Sequence, residues 1–263
     1  MNRIKTLLFL VLAAAITSCE SFDDSPKALV NILLIDAPAS WDSVIVEIQG
    51  VELDFVPDGR DGDVQKIFFP YEPGDKEVDI SQLVGGAALP VARAEMQLGK
   101  ITGITLKLGP SNALYLDEDR YPLDLPGGNT DYFQTLPVDL KQGFSYDLVL
   151  DFDLEKSIRV IKPDPLVLAF NPTIAAYSGI GRGDLAGTTS PTDLKPVIYA
   201  IQGKDSVSTH TNTSGGFLFR INPGIYTVFI DPKDSKYKTD TLFNVEVKSG
   251  ATTTLDRIIL DKK

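Results

Sequence analysis

Residues 144–158 read FSYDLVLDFDLEKSI, and their alternation decides the fold class. Phe144, Tyr146, Leu148, Leu150, Phe152 and Leu154 fall on one side of an extended chain, and Asp147, Asp151 and Asp153 on the other. Successive side chains of a strand point to opposite faces, so the stretch predicts a strand with one apolar and one acidic side. The acidic side reads as a solvated outer face. Asp151 and Asp153 on it form a candidate calcium pair, because carboxylate oxygens suit that hard cation.

The same alternation continues in both directions. Upstream, Val44, Val46 and Ile48 share one side; after Gly50 the apolar phase slips to Val51, Leu53 and Phe55. A glycine at such a slip predicts a β-bulge that returns the later residues to the core. PDGRDGD (57–63) reads as a polar turn before a strand over 64–69. Its Asp58, Asp61 and Asp63 are a second calcium candidate, although their spacing is not that of an EF-hand loop. ITGITLKLG (101–109) puts Ile104, Leu106 and Leu108 on one face, and ALYLDEDRYPLDL (113–125) reads as a hairpin across residues 117–119. A short helix is expected between Ser81 and Gln97.

Downstream, the polar, glycine-rich stretch at 177–193 reads as the passage to a second unit. KPVIYAIQG, SVSTHTNTSGGFLFRI, GIYTVFID and FNVEVKSG follow as strands, with a last strand near Leu255–Leu260. Asn222-Pro223-Gly224-Ile225 has proline and glycine where a type II turn needs them. Many short strands with Gly/Pro turns predict an all-β chain of two β-sandwich domains in tandem, immunoglobulin- or transthyretin-like.

The N-terminus, MNRIKTLLFLVLAAAITSC, has two basic residues, a short apolar run and small residues before Cys19, the only cysteine of 263 residues. That is the layout of a secretion signal. Ile16-Thr17-Ser18-Cys19 resembles the lipobox of bacterial lipoproteins, in which the cysteine is lipidated and becomes the new N-terminus. The expected organisation is signal peptide 1–18, acidic tether 19–27, first sandwich 28–176 and second sandwich 177–263. Loss of the signal leaves 23 basic against 36 acidic side chains, a net charge of −13. No basic stripe remains for nucleic acid. With Cys19 lipidated, disulfides and cysteine chemistry are excluded as well. The acids after it, Glu20, Asp23 and Asp24, resemble the export signal of surface lipoproteins, so an outer-membrane protein facing outward is expected.

Two family resemblances refine this. Gly187, Thr211, Thr213, Gly216-Phe217, Phe219, Pro223-Gly224, Tyr226, Val228 and Gly250 make residues 183–260 similar to the carboxypeptidase regulatory-like domain. That resemblance implies a small transthyretin-type sandwich, accessory and non-catalytic, often classed with carbohydrate-binding-like folds. Leu34-Ile35-Asp36-Ala37-Pro38, Ser43-Val44, Gly50-Val51, Gly99-Lys100-Ile101-Thr102, Asn112, Pro122-Leu123 with Pro126, and Leu150-Asp151-Phe152-Asp153 with Lys156-Ser157-Ile158 make residues 28–176 resemble an uncharacterised lipoprotein family, domain of unknown function 4382. The departures from that family are Gly127-Gly128-Asn129 and Tyr132-Phe133-Gln134.

Residues able to do chemistry are few. His210 is the only histidine, and the Asp205, Ser208 and His210 that could be drawn as a triad lie on one short segment, whereas triads converge from separate segments. One histidine and no free cysteine also leave zinc without its usual ligands. Trp41, in a loop, and Tyr132 with Phe133, read as a loop pair, are the candidate surfaces for stacking a sugar ring. The expectation is a non-enzymatic, lipid-anchored envelope protein with no cofactor except, at most, calcium. It would bind or adhere through carbohydrate or another envelope protein. The alternative is a fimbrillin-like structural or assembly subunit; the third reading is a carboxylate-only glycoside hydrolase.

Overall fold

The computed structural model describes residues 25–37, 41, 43–60, 62–116 and 119–263. Cys19, the signal peptide and the acids of the tether therefore lie outside the described residues, as does Asp61. Thirteen strands come first: β1 (Lys27–Ala37), β2 (Ser43–Pro57), β3 (Gln65–Pro70), β4 (Glu77–Asp79), β5 (Leu89–Gln97), β6 (Gly99–Leu108), β7 (Ala113–Leu116), β8 (Asp119–Pro122), β9 (Asp131–Leu140), β10 (Ser145–Asp153), β11 (Ile158–Pro163), β12 (Leu166–Phe170) and β13 (Ile174–Ser178). A single helical turn, α1 (Leu154–Ser157), follows β10. Eight strands complete the chain: β14 (Gly183–Ser190), β15 (Val197–Gln202), β16 (Asp205–His210), β17 (Gly216–Ile221), β18 (Gly224–Asp231), β19 (Asp240–Val247), β20 (Thr252–Thr254) and β21 (Ile258–Ile259). The all-β expectation holds.

The buried apolar side chains fall into two clusters, one from residues 28–174 and one from 185–260. The first lies between a four-stranded sheet, β13-β10-β1-β5, and a seven-stranded sheet with the path β8-β7-β2-β6-β9, to which β3 and β4 add by pairing with β2. The second cluster is drawn from the sheets β17-β14-β20 and β16-β15-β18-β19. Tyr146, Leu148, Leu150, Phe152 and Leu154 enter the first core as their alternation requires; Phe144 precedes β10 and is exposed.

The slip at Gly50 is a bulge. The β2–β6 register shifts between Ile48 and Gly50, and Gly50 and Val51 are buried in succession. Gly50 has a φ of 153°, and a Cβ there would strike the carbonyl oxygen of Phe69. The hairpin at 113–125 pairs as expected, Leu116 opposite Asp119.

Three expectations are corrected. Residues 89–97 form strand β5 rather than helix: they pair antiparallel with β1, whose backbone groups need a partner on that edge. Gly224 does not adopt a positive φ, so the turn before β18 is not type II. A Cβ there would meet only the amide end of the exposed Gln202 side chain, while Tyr226 Oη donates to the Asn222 carbonyl at 2.8 Å. The polar stretch at 177–193 is largely strand, since Tyr177 and Ser178 still pair with β10 and residues 183–190 form β14.

Candidate functional site

The pairing of β1 with β10 is parallel, and a parallel pair is covered on both faces in most folds. The inner faces meet the first core. The outer residues Leu33, Ile35, Val149, Ala175 and Tyr177 turn toward β16 and β17 of the second body, together with Asp147 and Asp151. A cleft of about 530 Å³ lies between the two surfaces, closed along one side by Leu83, Gly85, Gly86 and Ala87. The acidic side of β10 is therefore not wholly a solvated face: the second body lies over Asp151.

This cover sets the chemistry of the acids. Asp147 accepts from Asn31 at 2.9 Å and pairs with Arg220 at 3.3 Å; Arg220 also holds Asp184 at 3.0 Å. Asp153 caps α1 by accepting from the Lys156 backbone N–H at 2.9 Å, and its other oxygen meets Lys156 Nζ at 2.6 Å. Asp151 has no such partners, and its Oδ1 is out of solvent and unpaired. Desolvation, with the Asp153 charge adding to it, pushes the Asp151 carboxyl up to about 6. Asp36, on the core side of β1, is buried with one oxygen unpaired; burial and then the Asp151 charge raise it well above the usual range. Arg182 lies over the Tyr177 ring at 3.9 Å and donates to the Arg220 carbonyl at 3.2 Å. Burial lowers the Arg182 guanidinium and pushes the Tyr177 hydroxyl up to about 12.

A second surface is the outer face of the seven-stranded sheet. Phe68 on β3, Glu52 on β2, Thr105 on β6 and Phe133 on β9 form one cross-strand line. The two phenylalanines are about half exposed, 47% and 52%. Each ring leans over a mid-strand glycine of the neighbouring strand, Phe68 over Gly50 and Phe133 over Gly103. A glycine leaves a gap on a sheet, and a ring seated in it presents its far side to solvent. Between the rings, Lys66 bridges Glu52 at 2.9 Å and Asp54 at 3.3 Å, and Lys107 bridges Asp131 at 2.6 Å.

The sequence candidates distribute as follows. Trp41 packs partly buried against the first core. Tyr132 and Phe133 lie on strand β9 rather than in a loop, and alternation sends them to opposite faces: Tyr132 packs against the core and donates to the Asn129 carbonyl at 3.1 Å, while Phe133 faces out. They do not form one platform. Asp58 and Asp63 are exposed at the turn after β2, where the Arg60 carbonyl accepts from the Asp63 N–H at 3.1 Å. Asp151 and Asp153 part company as described, and no group of three metal-ligating side chains occurs among the described residues. His210 is half-buried, with Nδ1 3.0 Å from the Lys195 carbonyl oxygen; burial lowers its pKa. Sequence reading missed Phe68, Tyr177 and Arg182. Phe68 carried a usable signal, because alternation sends one of Phe68 and Phe69 outward, opposite the bulge glycine.

Comparison with known proteins adds the family. Residues 27–165, more than half of the chain, match the family model described as domain of unknown function DUF4382. No curated protein matches. Similar solved structures include the TIE protein of Bacillus anthracis, at 11% identity and a TM-score of 0.25, covering 100% of this chain and 45% of that one. A leucine-rich repeat protein from Bacteroides thetaiotaomicron is similar at 11% identity and a TM-score of 0.19, covering 91% of this chain and 27% of that one. The minor pilin of Streptococcus agalactiae is similar at 10% and 0.23, covering 89% of this chain and 96% of the pilin. The chain thus spans less than half the length of the first two, and likeness at this level carries no functional argument. What the sequence match establishes is that this chain belongs to the DUF4382 family.

Proposed function

We propose that this chain is a non-enzymatic, lipid-anchored protein of the outer membrane, facing outward, that binds carbohydrate on the exposed face of its seven-stranded sheet. The observation that carries the reading is the pair of glycine-seated rings, Phe68 and Phe133, with charged groups between them. Gly50 and Gly103 stand one strand apart and about four residues out of step, so the rings are separated by roughly 14 Å at ordinary strand spacings. An aromatic face takes the C–H face of a pyranose, and carboxylates and ammonium groups placed between two such faces bond the hydroxyls. A saccharide of several residues fits that span better than a monosaccharide. Lipidation at Cys19 and the acidic residues after it would hold this face away from the membrane. The second body fits an accessory domain of carboxypeptidase regulatory-like type.

Intact cells expressing the full chain are expected to retain at least one soluble polysaccharide from a labelled panel. The double replacement Phe68→Ala/Phe133→Ala should lower that retention about tenfold or more, the scale of two lost stacking contacts. External protease should remove both proteins equally. Failure of every polysaccharide, or retention indifferent to both phenylalanines, defeats the reading.

A further inference from the structure

The cleft between the first sheet and the second body supports a second binding site, independent of the glycan reading. Apart from Asp36, which comes from the core side of β1, two charged side chains reach it without an ionic partner among the described residues. Asp151 comes from the middle of β10, with Oδ1 dry and unpaired. Arg182 comes from the link between the bodies; it stacks on Tyr177 and gives one hydrogen bond to a backbone carbonyl. The two do not bridge each other. The neighbouring charges are already matched, Asp147 and Asp184 both by Arg220. Around them the walls are largely apolar, with Leu33, Ile35, Val149 and Leu218 facing the space.

An unpaired acid and an unpaired guanidinium in one apolar cleft call for a ligand carrying both complements. A buried charge is costly until it is paired. A ligand with a cation for Asp151, an anion for Arg182 and an apolar body between them would satisfy both while bringing no net charge. A neutral sugar offers neither charge, and an acyl chain lacks the cation. We propose that this cleft binds a small zwitterionic molecule with an apolar body, of amino-acid to short-peptide size. Its ammonium group would meet Asp151 and its carboxylate Arg182. The volume of about 530 Å³ lies within the range of small-ligand sites.

The test uses the full chain and three probes: the dipeptide Leu-Leu, its N-acetyl derivative and its C-terminal amide, titrated calorimetrically. Leu-Leu should bind saturably. Acetylation or Asp151→Asn should each weaken binding at least about tenfold, and so should amidation or Arg182→Gln. Asp151→Asn removes a desolvated charge and should leave the fold intact, which circular dichroism checks. Phe133→Ala should leave dipeptide binding unchanged, so this proposal and the glycan reading fail separately. No saturable binding of Leu-Leu up to about 10 mM, far weaker than a built site gives, overturns the proposal. Equal binding of the acetylated probe overturns it too.

Discussion

Asp151 and Asp153 stand two residues apart on one strand face, yet their surroundings are opposite. Asp153 caps α1 and meets Lys156, whereas Asp151 lies under the second body and accepts nothing at Oδ1. Alternation placed both acids on the outer side of β10; nothing within the strand could reveal that a segment some sixty residues later covers one of them. The cover has a thermodynamic consequence. Asp151 titrates near 6 in the folded chain against 3.8 for an ordinary aspartate, so the folded state binds its proton more tightly than the unfolded state does. The stability linked to that proton is complete below about 3.8 and is lost as pH rises through about 6. The gap corresponds to roughly 3 kcal/mol. Asp151→Asn should therefore match the parent near pH 4 and exceed it near pH 8 by up to that amount, read from urea unfolding at both values. Asp36 is raised as well, in part by the Asp151 charge, so the replacement also relieves Asp36 and any change there adds to the gain near pH 8. A difference that is the same at both pH values would mean that Asp151 is not desolvated.

At the scale of elements, β2 was legible because its apolar phase slips where a glycine stands. The bulge needs that glycine for two reasons, the φ of 153° and the Phe69 carbonyl standing where a Cβ would go. Gly59, in the turn after β2, also has a positive φ but nothing within 4 Å of a Cβ. The pair separates backbone strain from collision. Gly59→Ala should cost about 1 kcal/mol, and Gly50→Ala at least about 3 kcal/mol, because a buried strand must also move. Denaturant midpoints decide; equal costs would show that the β2–β3 backbone yields freely. Strand β5 was illegible for the complementary reason. Ala, Arg, Glu, Met and Gln are good helix formers, so local preference favours helix over residues 91–97. Pairing with β1 overrides it, and that pairing is visible only once the sheet is assembled.

For the whole molecule, the question is what keeps the outer face of the first sheet dry. The run LVNILLI (29–35) is apolar on both sides of the strand, the sequence mark of a strand covered twice. The second body supplies the cover and is held by close contacts. The Gly86 backbone lies so near Leu218 that a Cβ would stand 3.1 Å from it, and a Cβ at Gly85 would stand 2.9 Å from the Gly216 carbonyl oxygen. Arg220 crosses to Asp147, and Arg182 stacks on Tyr177. A bulky side chain at Gly86, whose φ is 95°, would both strain the loop and push Leu218 away. Gly86→Val should therefore part the two bodies without unfolding either. The radius of gyration from small-angle scattering should rise, amides of residues 31–35 should exchange faster, and protease should cut more readily at residues 179–182, the strand-free link. If the bodies behave as independent beads in the parent protein, Gly86→Val changes none of these. In that case the cleft is not a standing feature, and Asp151 should titrate as an ordinary surface acid.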